Sequence, residues 1–262
     1  MSMERGICNR ALIVLSLLVT LLLGGVTTGR AADVRVMSGG AVKPALTELA
    51  KPFQKETGHR IDFTFATVGT LQQQVTAGQR ADIYVMTDAA IDDLVKKGIA
   101  VAGSRTDIAR VGVGVAIREG APRPDISTPD AFKATLLSAR SLAYIDPDKG
   151  GTSGIHVRAV LERLGIADSV KAKTILVPSG YVAELVVKGE AEIGIHQISE
   201  IMAVKGATLV GPLPRDLQKV TVYAAGLGAG SASAAAAAAF IRFLTTPAAR
   251  AKFAEAGLDY RE

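Results

Sequence analysis

From Val34 onward the chain alternates short apolar runs with amphipathic stretches. VRVMS (34–38) reads as a strand. AVKPALTELAKPFQKETG follows it, with Val42, Ala45, Leu46, Leu49 and Phe53 at helical spacing and a stop at Gly58. RIDFTFA (60–66) alternates Ile61, Phe63 and Phe65 as a strand does. TLQQQVTAG reads as a short helix ended by Gly78, ADIYVMT (81–87) as a strand, and IDDLVKKG as another helix with a glycine stop. Repeated strand–helix order predicts an α/β fold on mainly parallel sheets.

Around VGVGVAIREG the style changes to a glycine-bearing strand and then a proline-containing stretch, APRPDISTPDAF. We read this as passage into a second lobe. That lobe holds SLAYIDP, a GGTSG turn, the helix IHVRAVLERLG, TILVPSG, the helix YVAELVVKG and the strand AEIGIHQ. QKVTVYAAGL (218–227) reads as a strand returning to the first lobe. The alanine-rich helix after it offers Phe240, Phe243 and Leu244 for packing, and a last helix runs from Pro247 to a stop at Gly257. The expected organisation is lobe 1 over 32–110, lobe 2 over 111–223, and a return to lobe 1 over 224–262.

The N-terminus departs from this pattern. Arg5 and Arg10 precede the apolar run ALIVLSLLVTLLLGG (11–25), and TTGRA offers small residues at Gly29 and Ala31. That order predicts a secretory signal peptide over 1–31, cleaved before Ala32, and hence a periplasmic protein. Cys8, the only cysteine, lies within it, so the remaining chain has neither disulfide nor thiol chemistry. The formal charge is +5, of which three Arg and one Glu of the signal segment carry +2. The other charges are mixed in sign, with no basic run and no interleaved aromatics, so nucleic acid is not an expected partner.

Four places share one grammar of strand, small-residue turn and helix start: Ser38-Gly39-Gly40, Thr67-Val68-Gly69-Thr70, Gly150-Gly151-Thr152-Ser153-Gly154 and Pro178-Ser179-Gly180. Each offers free backbone N–H groups, hydroxyl donors and a helix N-terminus. Strand ends of open α/β sheets are where ligands bind. Four such turns in a two-lobed chain predict an anion site. No metal-ligand spacing, nucleophile elbow or phosphate loop is visible, so no cofactor and no metal are expected. Two histidines stand out as bases: His196, closing the strand AEIGIHQ, and His156, in the first turn of the helix after GGTSG. His59 sits just past a helix stop and reads as structural.

These residues together resemble the periplasmic molybdate-binding proteins, which have the two-lobed type II solute-binding fold with a ligand cleft between lobes. The likeness runs through VRVMSGGAVKPALTELAKPFQKETG, FATVGTLQQQVTAGQRADIYVMTD, DPDKGGTSG, EIGIHQ and FIRFLTTPAARAKFAEAGL. The resemblance implies two serine ligands and one tyrosine ligand, which fall here at Ala41, Val68 and Gln197. A tetrahedral oxyanion would lose much of its hydrogen-bonded cage, which points to an organic carboxylate instead.

The chain is also similar to the aconitate isomerase branch of that fold in length, signal peptide and lack of mature cysteine. That likeness implies interconversion of cis- and trans-aconitate by an allylic proton shift, needing a base and fixed donors. His196 or His156 would be the base, and Tyr181 a donor. Ser38, Gly39, Gly40, Thr67, Val68, Gly69, Thr152, Ser153, Gly154 and Gln197 would bind the tricarboxylate, with Lys149 and Arg158 as charge partners. The other reading is a solute-binding protein that delivers an organic carboxylate or oxyanion to a membrane permease. A monomer is expected in either case.

Overall fold

The computed structural model describes residues 31–259; the apolar run 11–25 and Cys8 lie outside the described residues. Among the described residues, ten strands form two five-stranded sheets. In chain order they are β1 (Asp33–Gly39), β2 (Arg60–Ala66), β3 (Ile83–Thr87), β4 (Thr106–Val111), β5 (Val113–Arg118), β6 (Leu142–Ile145), β7 (Thr174–Val177), β8 (Ile193–Gln197), β9 (Ala207–Pro212) and β10 (Thr221–Leu227). The first sheet has the order β2-β1-β3-β10-β4 and the second β7-β6-β8-β5-β9. The chain thus crosses between sheets at Gly112, and crosses back before Thr221, so that all of β10 lies in the first sheet.

The expectation of mainly parallel sheets needs correction. β1 pairs in parallel with β2 and β3, and β6 with β7 and β8. β10 runs antiparallel to β3 and β4, and β5 antiparallel to β8 and β9. Both β5 and β10 enter their sheets directly from the opposite lobe. Without a crossover helix to reverse them, they slot in antiparallel. A further helix, Pro129–Ser138, starts inside the proline-containing stretch, where the pattern gave no sign of one. Proline is at home in a first helical turn, and Thr128 caps that turn by accepting from the Ala131 N–H at 3.1 Å.

Each sheet has its own core. Val34, Val36, Ile83 and Val85 pack with Leu46, Phe53 and Phe240 in the first lobe. The Phe53 and Phe240 rings lie 4.9 Å apart between centroids, tying the helix Lys43–Thr57 to the alanine-rich helix Ala234–Leu244. In the second lobe, Val113, Val115, Ile193 and Ile195 pack with Phe132, Leu136 and Leu161. Because β1 and β2, and likewise β6, β7 and β8, run parallel, the turns after them gather at one end of each sheet. Those two ends face each other.

Candidate functional site

A cavity of about 320 Å³ opens there, lined from both lobes. The first lobe supplies Gly40, Ala41, Lys43, Phe65, Thr67, Val68 and Tyr223; the second supplies Ile145, Gly151 to Ser153, Ser179 to Tyr181, Glu184, His196 and Glu200. Two full helices begin at its wall: Val68–Thr76, capped by Thr67, and Thr152–Arg163, after Gly151. Their free N–H groups and positive dipole ends favour an anion.

The lobes meet backbone to backbone. Gly69 donates its N–H to the Gly150 carbonyl at 3.1 Å, and the Thr67 hydroxyl donates to the Lys149 carbonyl. A Cβ on Gly69 would lie 2.6 Å from the Gly150 Cα, so no larger residue fits this contact as it stands. Gly150 has φ +69°, the left-handed region in which glycine is favoured. Deeper in, the Ser199 hydroxyl donates to the Ala41 carbonyl at 2.7 Å.

One floor of the cavity is a buried pair. His196 ends β8, Glu200 lies one turn on in the helix Ile198–Met202, and His196 Nε2 is 3.1 Å from Glu200 Oε2. Both side chains are over nine-tenths buried. Burial pushes the Glu200 carboxyl up to about 8, opposed only in part by Lys43, and holds the His196 imidazole down at about 3. At neutral pH both are therefore uncharged. His196 Nδ1 has no hydrogen-bond partner in the protein. Room for the carboxyl comes from Gly40, where a Cβ would sit 2.7 Å from Glu200 Oε1.

Lys43 is the cation of the site. Its Nζ lies 5.6 Å from the Phe65 ring centroid and 5.5 Å from that of Tyr181, bridging the lobes at the mouth. Burial, with Glu200 and Glu184 nearby, pushes the Tyr181 hydroxyl up to about 12, so it remains a donor. Tyr223 is pushed up likewise, and its hydroxyl lies 3.4 Å from Thr152 Oγ1.

Of the residues singled out from sequence, Gly40, Thr67, Val68, Thr152, Ser153, Tyr181 and His196 line the cavity. Others stand behind it. Ser38 is fully buried with its hydroxyl on the Gly39 carbonyl, and Gly39 makes way for the Tyr223 ring. Gln197 donates to Thr152 Oγ1 at 3.0 Å, and Gly154 lets its helix pack onto the Ile145 carbonyl. His156 is not brought to the cavity: its Nε2 is 2.7 Å from the Leu217 carbonyl on the far side of the helix start. Arg158 pairs with Asp148 at 2.9 Å, and neither it nor Lys149 lines the cavity. His59 accepts at Nδ1 from the Ala32 N–H. Glu200, Lys43, Phe65 and Tyr223 were missed. The spacing of His196 and Glu200, four apart, was a readable signal, because it places both on one side of a strand-to-helix turn.

A family profile described as bacterial extracellular solute-binding protein matches residues 34–259. An aconitate isomerase from Pseudomonas sp is 34% identical over 229 residues, covering 85% of this chain and 86% of that protein. The molybdate-binding protein ModA of Escherichia coli (strain K12) is 29% identical, covering 87% and 89% respectively. The periplasmic molybdate-binding protein of Azotobacter vinelandii superposes with a TM-score of 0.72 at 22% identity, covering 87% of this chain and all of that one. This last likeness bears on the fold, two lobes of α/β structure with a cleft between them.

Proposed function

The chain belongs to the bacterial extracellular solute-binding protein family, and from that premise we propose that it is a periplasmic aconitate isomerase. The observation that carries the reading is the buried His196–Glu200 pair at the floor of an anion-favouring cavity. A receptor needs donors and cations to hold an anion. It has no need of a carboxyl and an imidazole buried side by side. Similarity to an aconitate isomerase over most of the chain supports the same conclusion.

In the proposed reaction the three carboxylates of aconitate lie against the turns at Gly40, Thr67–Val68 and Thr152–Ser153, with Lys43 at the mouth. The His196 imidazole takes a proton from the methylene carbon as the C–H bond breaks. The electron pair moves into a new carbon–carbon double bond, and the old double bond delivers its pair onto the adjacent carboxylate as a dienolate. The proton returns to the former vinyl carbon, so the product is an isomer and nothing is consumed. Tyr181 and the helix N–H groups stabilise the dienolate charge. His156, held by Leu217 away from the cavity, has no part in this scheme.

Ala41 and Val68 put apolar groups where the molybdate-binding relatives are expected to have hydroxyls, and Gln197 is engaged with Thr152. This supports a tricarboxylate over a tetrahedral oxyanion. The signal-like run 11–25 supports export, and the protein acts as a monomer in this reading. The interlobe bond from Gly69 to Gly150 favours one other reading, a carboxylate receptor that closes on its ligand and docks on a permease. The test is incubation of the purified protein with cis-aconitate and separation of the isomers over time. Catalytic appearance of trans-aconitate supports the enzyme; a rise in melting temperature without turnover supports the receptor.

A further inference from the structure

Tyr223 stands on β10 in the first lobe, almost wholly buried, and its side chain reaches the cavity. The ring fills space that Gly39 leaves open, where a Cβ would come within 2.8 Å of Tyr223 Cε1. A phenylalanine would fill that space as well. The hydroxyl needs its own reason, because burying one without a good hydrogen bond is costly. Among the described residues it has one partner, Thr152 Oγ1 in the second lobe, at 3.4 Å. That is long against the usual O–H···O separation of about 2.8 Å. Thr152 Oγ1 is itself already engaged, accepting from Gln197 Nε2 at 3.0 Å. Gln197 is buried behind the cavity wall and does not line it.

We propose that Tyr223 is a further ligand-contacting donor of this site, and that Gln197, acting through Thr152, is the residue that positions it. An amide N–H can only donate, and an anion in the cavity can only accept. With those two at the ends, the order between them is fixed. Gln197 N–H donates to the Thr152 oxygen, Thr152 O–H to the Tyr223 oxygen, and Tyr223 O–H to a carboxylate oxygen of the ligand. Each hydroxyl gives one bond and takes one, and each bond polarises the next. Burial, with Glu200 nearby, keeps the Tyr223 proton in place, so the group donates without giving the proton up. Tyr223 belongs to one lobe and its two partners to the other, so the chain is complete only while the lobes are together. Closure thereby aims the donor.

The inference rests on the proposed function for its ligand, a tricarboxylate, but its first test is independent of turnover. Tricarballylate, the saturated tricarboxylate that cannot isomerise, is titrated calorimetrically into wild type and Tyr223→Phe at pH 7. The variant keeps the ring and is expected to bind about tenfold more weakly or worse, as loss of a hydrogen bond to a charged group implies. An affinity within about twofold of wild type overturns the proposal, and so does a wild type that does not bind tricarballylate. Gln197→Met is then made in both backgrounds. It is expected to weaken binding about fivefold in wild type and no more than about twofold in Tyr223→Phe, since its effect passes through that hydroxyl. Equal losses in the two backgrounds overturn the relay, because packing alone would give them. Where Tyr223→Phe does not fold, Gln197→Met by itself decides: an unchanged affinity overturns the relay.

The kinetic arm adds what binding alone does not show. As the methylene proton leaves, negative charge gathers on a carboxylate, and a fixed donor there strengthens its bond at that moment. Tyr223→Phe is therefore expected to lose about 100-fold in kcat, the effect of removing one such donor. Weaker tricarballylate binding in Tyr223→Phe, with no isomerase activity in wild type, would leave the Tyr223 contact standing and sink the proposed function. Isomerase activity in wild type, with kcat and affinity unchanged in Tyr223→Phe, would do the reverse.

Discussion

Gly69 and Gly150 touch across the cleft, N–H to carbonyl at 3.1 Å, and a Cβ added to Gly69 would come within 2.6 Å of the Gly150 Cα. The closed arrangement of the lobes depends on both residues having no side chain. Gly69→Ala is expected to weaken tricarballylate binding about tenfold or more, equivalent to roughly 1.4 kcal/mol or more. The melting temperature of the free protein should change little, because each lobe keeps its own core. Calorimetric titration reads the affinity; unchanged binding would show that this contact is not needed for closure.

His196→Gln keeps a polar group against Glu200 and removes the base. Turnover is expected to fall by about 100-fold to 10,000-fold, the span of general acid–base contributions. Tricarballylate affinity should remain within a few fold. His156→Gln, by contrast, should keep kcat within about twofold and cost some stability through the lost bond to Leu217. Steady-state kinetics on the two variants discriminates between the two histidines that sequence alone left open.

Lys43 is the cation at the mouth, between the Phe65 and Tyr181 rings. Lys43→Met retains much of the stem's bulk and loses the charge. It is expected to raise KM about tenfold, with a weaker dependence of KM on salt than in wild type. It should also shift the pH profile upwards, because Lys43 opposes the rise of the Glu200 carboxyl. A KM unchanged in low salt would remove Lys43 from the binding role.

Glu200 is buried with its carboxyl raised from 4.5 to about 8. Below pH 4.5 both folded and unfolded chains hold this proton, and burial has no ionic cost. Between the two values the unfolded chain ionises while the folded one does not, so stability falls as pH rises, and the loss is complete above about 8. Glu200→Gln should therefore gain on wild type in melting temperature from pH 5 to pH 8, by several degrees. His196 acts at the other end: its lowered value removes stability as pH falls below about 6.5. Thermal melts across this range check both signs.

Much of the frame was legible in the chain. Ile61, Phe63 and Phe65 alternate because one face of β2 is buried, and Leu46, Leu49 and Phe53 recur at helical spacing because one stripe of their helix meets the core. Direction of pairing was not legible: β5 and β10 have apolar patterns that fit a parallel or an antiparallel neighbour equally well. Within the site, the turns at Gly40, Thr67 and Thr152 announced themselves by composition. Glu200 was marked only by its four-residue spacing from His196, and taken by itself a glutamate in a helix next to a lysine-bearing segment reads as surface. Its burial follows from Gly40, distant in sequence, and the end of β8 coming together only in the fold. His156 misled for the opposite reason: its helix start does face the cleft, while the side chain one turn in points to Leu217.

The central claim is that this cleft converts its ligand as well as holding it. The most direct measurement starts two parallel reactions, one from cis-aconitate and one from trans-aconitate, with purified protein at several concentrations and a His196→Gln control. The account predicts that both reactions reach the same final ratio of isomers, at rates proportional to protein and nearly absent in the control. If the isomers stay as supplied while either one raises the melting temperature, the protein is a receptor and the account is wrong.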